Sequence, residues 1–453
     1  MLWNPRKVGL WLLAVTGVRF FLLNHRFEGD TRALLSGSKA ALGCLLEGRF
    51  AACPDVQHFP LFQYLPGIVL QSFGIGDRAL LIVFTLASSI FFFGLLAMFI
   101  SAFTQSKTPA LGTIGVLVLL GSPLLWYAFS TFNEVTAGFL AVLLLYLILK
   151  GSSSIYIFVA FVAASITKEI AFPFLLLLSF LVLQFGGLSN TRVARVRTSI
   201  LSGAIVAFIL NSAFNWFRFG TVINLSNFQR KFMVPSIFQK LSSGFAIWFS
   251  PNGGLFFFWP CFVILFFGCL WVACVRGVKR PVNIGILVIA LFLTVGFSSW
   301  YAPMGWVAWG PRLILPWIPA LLFVIFLFFG EWVSHFSLKL TATQPRAIMT
   351  AVIVGVMTLP QLLVLFVPHV LDGFFKNDSF CPGTAYVDQP DYYYRCLNYR
   401  FWEKKPFLIF GVFDSLSKPI VLIHSLIYFI GILSLVFSIR NQISRLEDTE
   451  LGK

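Results

Sequence analysis

Long apolar stretches alternate with short polar segments along the whole chain. Many of them reach the roughly 18 to 20 residues that cross a bilayer as a helix. We place about twelve spans by this criterion. Their approximate ranges are 8–23, 79–103, 110–128, 135–149, 155–166, 170–186, 199–216, 254–275, 282–297, 313–330, 347–367 and 419–439. No small-residue cleavage site follows the first stretch, so we interpret it as a retained span and not as a signal peptide.

Composition agrees with this pattern and excludes a soluble globular domain. Of the 453 residues, 58% are hydrophobic and only 11% are charged, and the mean hydropathy is +0.88. Soluble domains carry about 25% charged residues. The sequence therefore predicts an all-α, polytopic transmembrane protein.

The net charge of +16 would suggest a nucleic-acid partner until the charges are placed on the predicted topology. Lysine and arginine concentrate at the N-terminus, in the tail and in alternate short loops, which include residues 192–197 and 276–280. Loops rich in these residues stay in the cytoplasm. Both termini are therefore expected inside, no nucleic acid is expected, and functional residues are expected on the outer side. That side would be the periplasmic face of a bacterial inner membrane or the lumen of the endoplasmic reticulum.

We predict a single transmembrane domain over residues 1–453, with a core at 1–330 and further C-terminal spans at 331–453. Three outer segments are long: residues 24–78, 217–253 and 368–418. The first two contain helical patterns with one apolar face, which predict amphipathic helices on the membrane surface. The apolar face of the first consists of Leu34, Leu35, Ala41, Leu42, Leu45 and Leu46, and that of the second consists of Phe238, Leu241, Phe245 and Trp248.

Four cysteines lie in the outer segments. Cys44 and Cys53 share the first of them, and Cys381 and Cys396 share the last. An oxidising compartment favours disulfides between them. Four cysteines allow three pairings, and the sequence alone does not choose among these.

Arg312 follows a tryptophan-rich segment, residues 300–309, and a Gly-Pro pair at the edge of an apolar run. One interpretation is an interfacial anchor whose charge reaches the headgroups beside a tryptophan belt. The other is an anion site at membrane level, because a guanidinium group binds phosphate through two parallel hydrogen bonds. In that case Pro311 would directly precede the helix, and the helix N-terminus would add positive potential.

Other polar groups occupy the same predicted outer face. Lys168 and Glu169 lie in a tight connection, where they either pair with each other or bind substrate. Asn133 and Glu134 are interpreted as a helix cap. His58 is either a polar group facing a ligand or an interfacial aromatic residue. The Ser-Pro-Asn-Gly-Gly turn at 250–254 contains glycines that allow close backbone approach.

Glu28 and Asp30 follow the first span almost directly, which is an unusual place for two carboxylates. Asp30 could cap the surface helix, since aspartate is a good N-cap. It could also act as a general base at the membrane surface. The sequence contains no glycine-rich phosphate loop, Cys-x-x-Cys pair or Gly-x-Ser-x-Gly motif that would point to another chemistry.

Taken together, these segments resemble the GT-C superfamily of membrane glycosyltransferases, in particular the aminoarabinose transferase and protein mannosyltransferase type. The resemblance covers about residues 1–330. It lies in Glu28-Gly29-Asp30, in Thr167-Lys168-Glu169, in "SPNGGLFFFWP" (250–260) and in "WGPRLILPWIPAL" (309–321). The chain departs from the family in two ways. Leu313 stands where an aromatic residue often follows the arginine, and there is no soluble outer domain.

The resemblance implies a hexosyl- or pentosyltransferase that uses a polyprenyl-phosphate-linked sugar. Asp30 would be the catalytic base, supported by Glu28, and Arg312 and Lys168 would hold the donor phosphate. The remaining implied binding residues are Glu169, His58, Trp300, Tyr301 and Trp309. The acceptor would be small or anchored in the lipid bilayer, and transfer would invert the anomeric centre. No ligand cluster demands a metal, although a divalent cation could assist at the phosphate.

Two other classes remain open at this stage. A transporter or flippase for a lipid-linked sugar or another anionic amphiphile would use Arg312 and Lys168 equally well. It would not need a base at the outer rim, and alternating access favours repeated halves, which this sequence does not show. The third class is a non-catalytic assembly subunit.

Overall fold

The computed structural model describes residues 29–53, 56, 59–103, 110–131, 133–168, 171–222, 236–276, 280–300, 303–305, 309–341, 345, 359–361, 363–365, 395–403 and 408. These residues form helices and the turns between them, with no β-strand among them. The chain divides into two compact units. Unit 1 comprises Met1–Met98 and Tyr127–Phe228, and unit 2 comprises Phe99–Trp126 and Gln229–Lys453.

Most helices coincide with predicted apolar stretches, but the predicted spans 110–128 and 254–275 are each divided into two helices. In chain order they are α1 Gly29–Leu46, α2 Leu61–Ser72, α3 Asp77–Phe103, α4 Ala110–Leu120, α5 Leu124–Tyr127, α6 Glu134–Lys150, α7 Ser154–Ser165, α8 Ala171–Phe185, α9 Asn190–Phe219, α10 Ile237–Phe249, α11 Leu255–Phe258, α12 Pro260–Arg276, α13 Arg280–Ser298 and α14 Ile318–Thr341. A 3₁₀ turn at Leu315–Trp317 precedes α14, and Tyr399–Glu403 form a π-helical turn.

The chain is an integral membrane protein. Four helical segments of the described chain are long and apolar enough to cross a bilayer: Asp77–Phe103, Asn190–Phe219, Pro281–Ser298 and Leu315–Ser334. Shorter apolar helices include α7, α8 and most of α12. The predicted spans 8–23 and 419–439, and most of 347–367, lie outside the described residues. The total of twelve spans therefore stays a prediction.

Many large apolar side chains point away from the protein on these helices. On α9 they include Leu201, Ile205 and Phe208, each more than half exposed. Contiguous apolar surface of this kind would be unfavourable in water and is expected where a helix meets lipid. Small residues occupy the opposite face. A Cβ atom on Gly203 would lie 3.2 Å from the Phe161 ring of α7, so the two helices pack closely at this glycine.

The first predicted surface helix is largely a packed helix. Leu34, Leu35 and Ala41 are buried, whereas Leu45 and Leu46 at the end of α1 are exposed. The covering element is α2, which the sequence analysis missed because Pro66 interrupts its helical pattern. The two helices cross closely, since a Cβ atom on Gly67 of α2 would overlap the Ser38 side chain of α1.

The second surface helix, α10, keeps the predicted stripe on one face. Phe238, Leu241 and Phe245 are all well exposed. Its opposite face is polar or small, because Gln239 and Ser243 are buried and Gly244 contacts α13. Ala246 and Ile247 are buried beside these residues, and Trp248, the fourth residue of the predicted stripe, is only half-buried. The exposed apolar residues of this helix are suited to contact with lipid.

The core of unit 2 is built around α14. Residues 320–326 of this helix are almost completely buried. Phe99 packs edge-on against Phe323, with ring centroids 5.4 Å apart. Gly115 of α4 leaves room for Phe99 and Phe326, and a Cβ atom there would lie 2.6 Å from the Phe99 ring. This packing fixes the helix that follows the Arg312 segment.

Candidate functional site

The turn between α7 and α8, residues 164–168, lies in unit 1 and carries Lys168. Each of its five backbone carbonyls accepts a hydrogen bond. Thr167 Oγ1 donates to the Ala164 carbonyl (2.6 Å), Asn211 Nδ2 to the Ser165 carbonyl (3.4 Å) and the Phe62 N–H to the Ile166 carbonyl (3.3 Å). Asn133 Nδ2 donates to the Thr167 carbonyl (2.8 Å), and the Ala171 N–H donates to the Lys168 carbonyl (2.9 Å). Three of these donors, Asn211, Phe62 and Asn133, belong to distant segments, so the turn is fixed from several sides.

Lys168 forms a buried ion pair with Glu134. Its Nζ lies 2.9 Å from Glu134 Oε1, and the two side chains are 17% and 1% exposed. A carboxylate this deeply buried needs a compensating charge, because desolvation disfavours an isolated ion. Lys168 pairs across the fold with Glu134, while Glu169 lies outside the described residues.

The predicted capping role of Asn133 and Glu134 is wrong. Asn133 precedes α6 but makes no side-chain capping hydrogen bond. Its amide donates to the Thr167 carbonyl, and Glu134 binds Lys168. The tertiary contact prevails because a buried carbonyl or charge left without a partner costs more than an uncapped helix end.

Of the two proposed catalytic acids, only Asp30 belongs to the described chain. Asp30 is the second residue of α1 as described, and its side chain is outside the described part. Glu28 is outside it as well. The capping and general-base interpretations of Asp30 therefore both stay predictions. The helix itself is held firmly by α2 and by the buried residues around Leu34.

In unit 2, the turn that leads to Arg312 is built on a buried tryptophan. Trp309 is completely buried, and its Nε1 donates to Gln361 Oε1 at 2.6 Å. Gln361 in turn donates to the Phe258 carbonyl. The Phe258 and Trp309 rings pack edge-on at 4.8 Å. Trp309 therefore packs on the buried side of the turn, and its ring is not accessible to a ligand.

Two glycines with positive φ angles shape the path of the chain around Arg312. Gly310 has φ +75°, and a Cβ atom there would lie 3.1 Å from Pro123. Gly305 has φ +84°, and its missing side chain leaves room for the Arg312 stem, whose Cδ would lie 3.1 Å from a Cβ atom. The Arg312 N–H donates to the Met304 carbonyl at 3.1 Å. The arginine is half-buried on a turn that only glycines allow.

The sequence pattern predicted a helix that begins at Arg312, and this prediction is wrong. Residues 312–314 form turns, a 3₁₀ turn follows, and α14 starts at Ile318. Pro316 and Pro319 lack the N–H groups that a regular helix starting at Arg312 would use. The N-terminus of α14 therefore does not lie at Arg312 and adds no positive potential there.

The Ser-Pro-Asn-Gly-Gly turn binds a segment of the last predicted outer loop. Ser250 Oγ donates to the Phe401 carbonyl, and Asn252 Nδ2 donates to the Arg400 carbonyl, both at 2.7 Å. The Leu408 N–H donates to Asn252 Oδ1 at 2.8 Å. A Cβ atom on Gly253 would overlap the Met304 sulfur, as the expected close approach requires. Asn252 was not predicted to make this contact, although an asparagine next to an apolar stretch indicates a polar group that needs a partner.

The predicted site residues fall into separate groups. Asp30 and Lys168 belong to unit 1, whereas Trp300, Trp309 and Arg312 belong to unit 2. Trp300 is half-buried just beyond the end of α13. His58, Tyr301 and Cys381 lie outside the described residues. Within the described part, no group of three or more His, Cys, Asp or Glu residues could hold a metal ion.

The structure contains a disulfide between Cys44 and Cys53, whose Cα atoms are 6.1 Å apart. Cys396 is also disulfide-bonded. The three cysteines of α12 are free thiols. The first outer segment is thus cross-linked within itself, between the end of α1 and the loop that leads to α2.

Comparison with known proteins gives a match only at the level of solved structures. No protein-family model matches the chain, and no curated protein matches it. One similar structure is the crystal structure of ArnT from Cupriavidus metallidurans bound to undecaprenyl phosphate, with 16% identity and a TM-score of 0.43 over 91% of this chain and 78% of that chain. The crystal structure of the same protein in the apo state has 16% identity and a TM-score of 0.41, over 90% and 77% of the two chains. Both similarities are to the same protein, and at 16% identity they assign no role to individual residues of this chain.

Proposed function

We propose that this protein is a membrane glycosyltransferase. It transfers a sugar from a polyprenyl-phosphate donor to an acceptor hydroxyl on the extracytoplasmic face. The observation that carries the proposal is the Arg312 turn: a half-buried arginine beside apolar helices, in a conformation that requires Gly305 and Gly310. A cation on a backbone fixed in this way, at this place, is suited to an anionic lipid headgroup.

The proposed chemistry needs a base for the acceptor hydroxyl and a cation that stabilises the leaving phosphate. Asp30 removes the proton of the acceptor hydroxyl as this oxygen attacks the anomeric carbon. The bond from the anomeric carbon to the phosphate oxygen breaks, and the negative charge that develops on the phosphate is stabilised by Arg312. Attack opposite the leaving group inverts the anomeric centre. Glu28 supports the base, and Lys168 is a second cation for the donor.

The direct test is a reaction with purified protein in nanodiscs and a panel of polyprenyl-phosphate sugars. Released polyprenyl phosphate is the readout, with acceptors that are small or lipid-anchored. We expect release with at least one donor and one acceptor together. Transbilayer movement of the donor without any release would instead identify the flippase that was kept as an alternative.

Replacing Arg312 should weaken donor binding. We expect Arg312→Ala to raise the donor dissociation constant about ten- to a hundredfold, because a charge-assisted hydrogen bond contributes about 1.5–3 kcal/mol. Arg312→Lys should restore only part of the affinity, since an ammonium group cannot form two parallel bonds. The measurement is donor affinity in nanodiscs, after expression and melting have been checked.

A matched control for this variant is Arg395→Ala, which removes an exposed arginine of the last predicted outer loop. Its donor affinity should equal that of the parent. If Arg312→Ala binds donor as tightly as the parent, the arginine is an interfacial anchor and the phosphate site lies elsewhere.

The proposed orientation has its own test. A cysteine or a short tag placed in 368–418 should react with an impermeant reagent in intact cells or in sealed right-side-out vesicles. The reason is that the basic residues of 192–197, at the start of α9, and of 276–280, from the end of α12 to the start of α13, favour the cytoplasmic side. Labelling that appears only after permeabilisation would reverse the topology and remove the proposed site from the outer face.

A further inference from the structure

The C-terminal end of α9 meets the first outer segment through the backbone. The last carbonyls of a helix have no partner within the helix. Here the Cys53 N–H donates to the Phe217 carbonyl at 2.8 Å, and the Ala52 N–H donates to the Trp216 carbonyl at 3.4 Å. Ala52 adopts φ +52°, an unfavourable conformation for a residue with a side chain. The loop is thus held against the helix end despite local backbone strain.

Arg218 adds a side-chain contact to the same loop. It is only 5% exposed, and its Nη1 donates to the Phe59 carbonyl at 3.2 Å. Its Nε and Nη2 both donate to Asn215 Oδ1, at 3.1 and 2.7 Å. The Phe214 and Phe219 rings lie 4.9 and 4.5 Å from the guanidinium carbon. Asn215 and the two rings therefore orient the guanidinium group so that its remaining donor reaches the loop.

The residues held in this way belong to the buried cluster that supports α1. Cys53 and Phe59 pack with Leu34, Ala41 and Cys44 of α1, and Phe214 of α9 completes the contact. The Cys44–Cys53 disulfide joins the end of α1 covalently to the loop. A continuous set of contacts thus runs from the end of a long membrane helix to the helix that carries Asp30.

We infer that the end of α9, residues 214–219, is a clamp that sets the position of α1, and that Arg218 is its principal positioning residue. This inference rests on the proposed function for its consequence in catalysis, because α1 carries the proposed base. The claim that residues 214–219 set the position of α1 does not depend on that function. Arg218 touches no substrate in this assignment and acts through Phe59 and the buried cluster.

The structural part is tested by the reduction rate of the Cys44–Cys53 disulfide. Both sulfur atoms are buried, so a reductant reaches them only when the loop opens locally. We expect Arg218→Gln to accelerate reduction by tris(2-carboxyethyl)phosphine about tenfold or more, since a charge-assisted contact is lost. Arg218→Lys should be intermediate. Differential alkylation and mass spectrometry of the Cys44 and Cys53 peptides give the rate in the full-length protein in nanodiscs.

Two further variants make the test specific. Asn215→Ala removes the acceptor that orients the guanidinium group and keeps the arginine, so it serves if Arg218→Gln folds poorly, and faster reduction is expected again. Arg197→Gln is the matched control, because it makes the same change at an exposed position of α9. Parent-like reduction in both Arg218→Gln and Asn215→Ala would overturn the clamp.

The catalytic part is tested by turnover and donor affinity in the same variants. A clamp that positions the base predicts a lower turnover with unchanged donor binding. Faster reduction with parent-like turnover would overturn the positioning role. If the parent protein releases no polyprenyl phosphate with any donor, the proposed function is wrong. The clamp is then still tested separately, by the reduction rates of the disulfide.

Discussion

Asp30→Asn is expected to lower turnover by about 10²–10⁴ while donor binding stays at the parent level. The substitution keeps the size of the side chain and removes the group that would accept the acceptor proton. The buried contacts described for this helix, which include Ala33 and Leu34, belong to other residues and are kept in the variant. The measurement is steady-state release of polyprenyl phosphate, with donor affinity determined separately in nanodiscs.

Asp77→Asn provides the matched control for this change. Asp77 is an acid of the same unit whose carboxylate pairs with Lys39 at 2.9 Å, and both side chains are well exposed. Exposed pairs of this kind contribute roughly 0–1 kcal/mol, so stability and turnover should both stay close to the parent. If Asp30→Asn turns over normally, the base is another group, and Glu28→Gln is the next variant to measure.

Breaking the Glu134–Lys168 pair should produce the largest loss of stability. Glu134→Gln and Lys168→Met are each expected to cost about 3–5 kcal/mol, because either change leaves one buried charge without its compensating partner. The exposed Lys39–Asp77 pair again supplies the comparison, and Lys39→Met should cost about 1 kcal/mol or less. The measurement is the free energy of unfolding in a fixed detergent and lipid mixture.

The double variant Glu134→Gln/Lys168→Met separates the contribution of the pair to stability from a role of Lys168 in donor binding. It removes both charges at once, so most of the lost stability should return. Donor affinity of the refolded double variant then reports whether Lys168 also contacts the donor. Single variants as stable as the parent would show that the pair is exposed to water in the membrane protein. A stable double variant with parent-like donor affinity would limit Lys168 to holding the turn.

The long apolar helices could be predicted from the sequence because a bilayer imposes a minimum length of apolar residues. Helices α3, α6, α7, α8 and α13 begin and end within a few residues of the predicted limits, whereas α9 begins at Asn190 and so includes the predicted basic loop 192–197. The helix α2 was missed for a local reason. It is short and contains Pro66, and its stability comes from packing on α1 and not from its own pattern.

The candidate site was harder to predict because its decisive contacts are distant in sequence. The partner of Lys168 is 34 residues away, so spacing suggested Glu169 and missed Glu134. Asn252 binds the backbone of a segment about 150 residues further along, and no local rule identifies such a contact. The start of α14 was misplaced because the hydrophobic pattern continues through Pro316 and Pro319 without a break.

By itself, the sequence determined that this is a helical membrane protein, where its long helices run and which cations and acids deserve a test. These conclusions depend on composition, period and length, which are local properties of a chain in a bilayer. Only the tertiary structure decided that Lys168 neutralises Glu134, that Trp309 stands behind the Arg312 turn and that Arg218 holds the loop next to α1. Burial makes each of these contacts necessary, since a polar group away from water must find a partner wherever the fold brings one within reach.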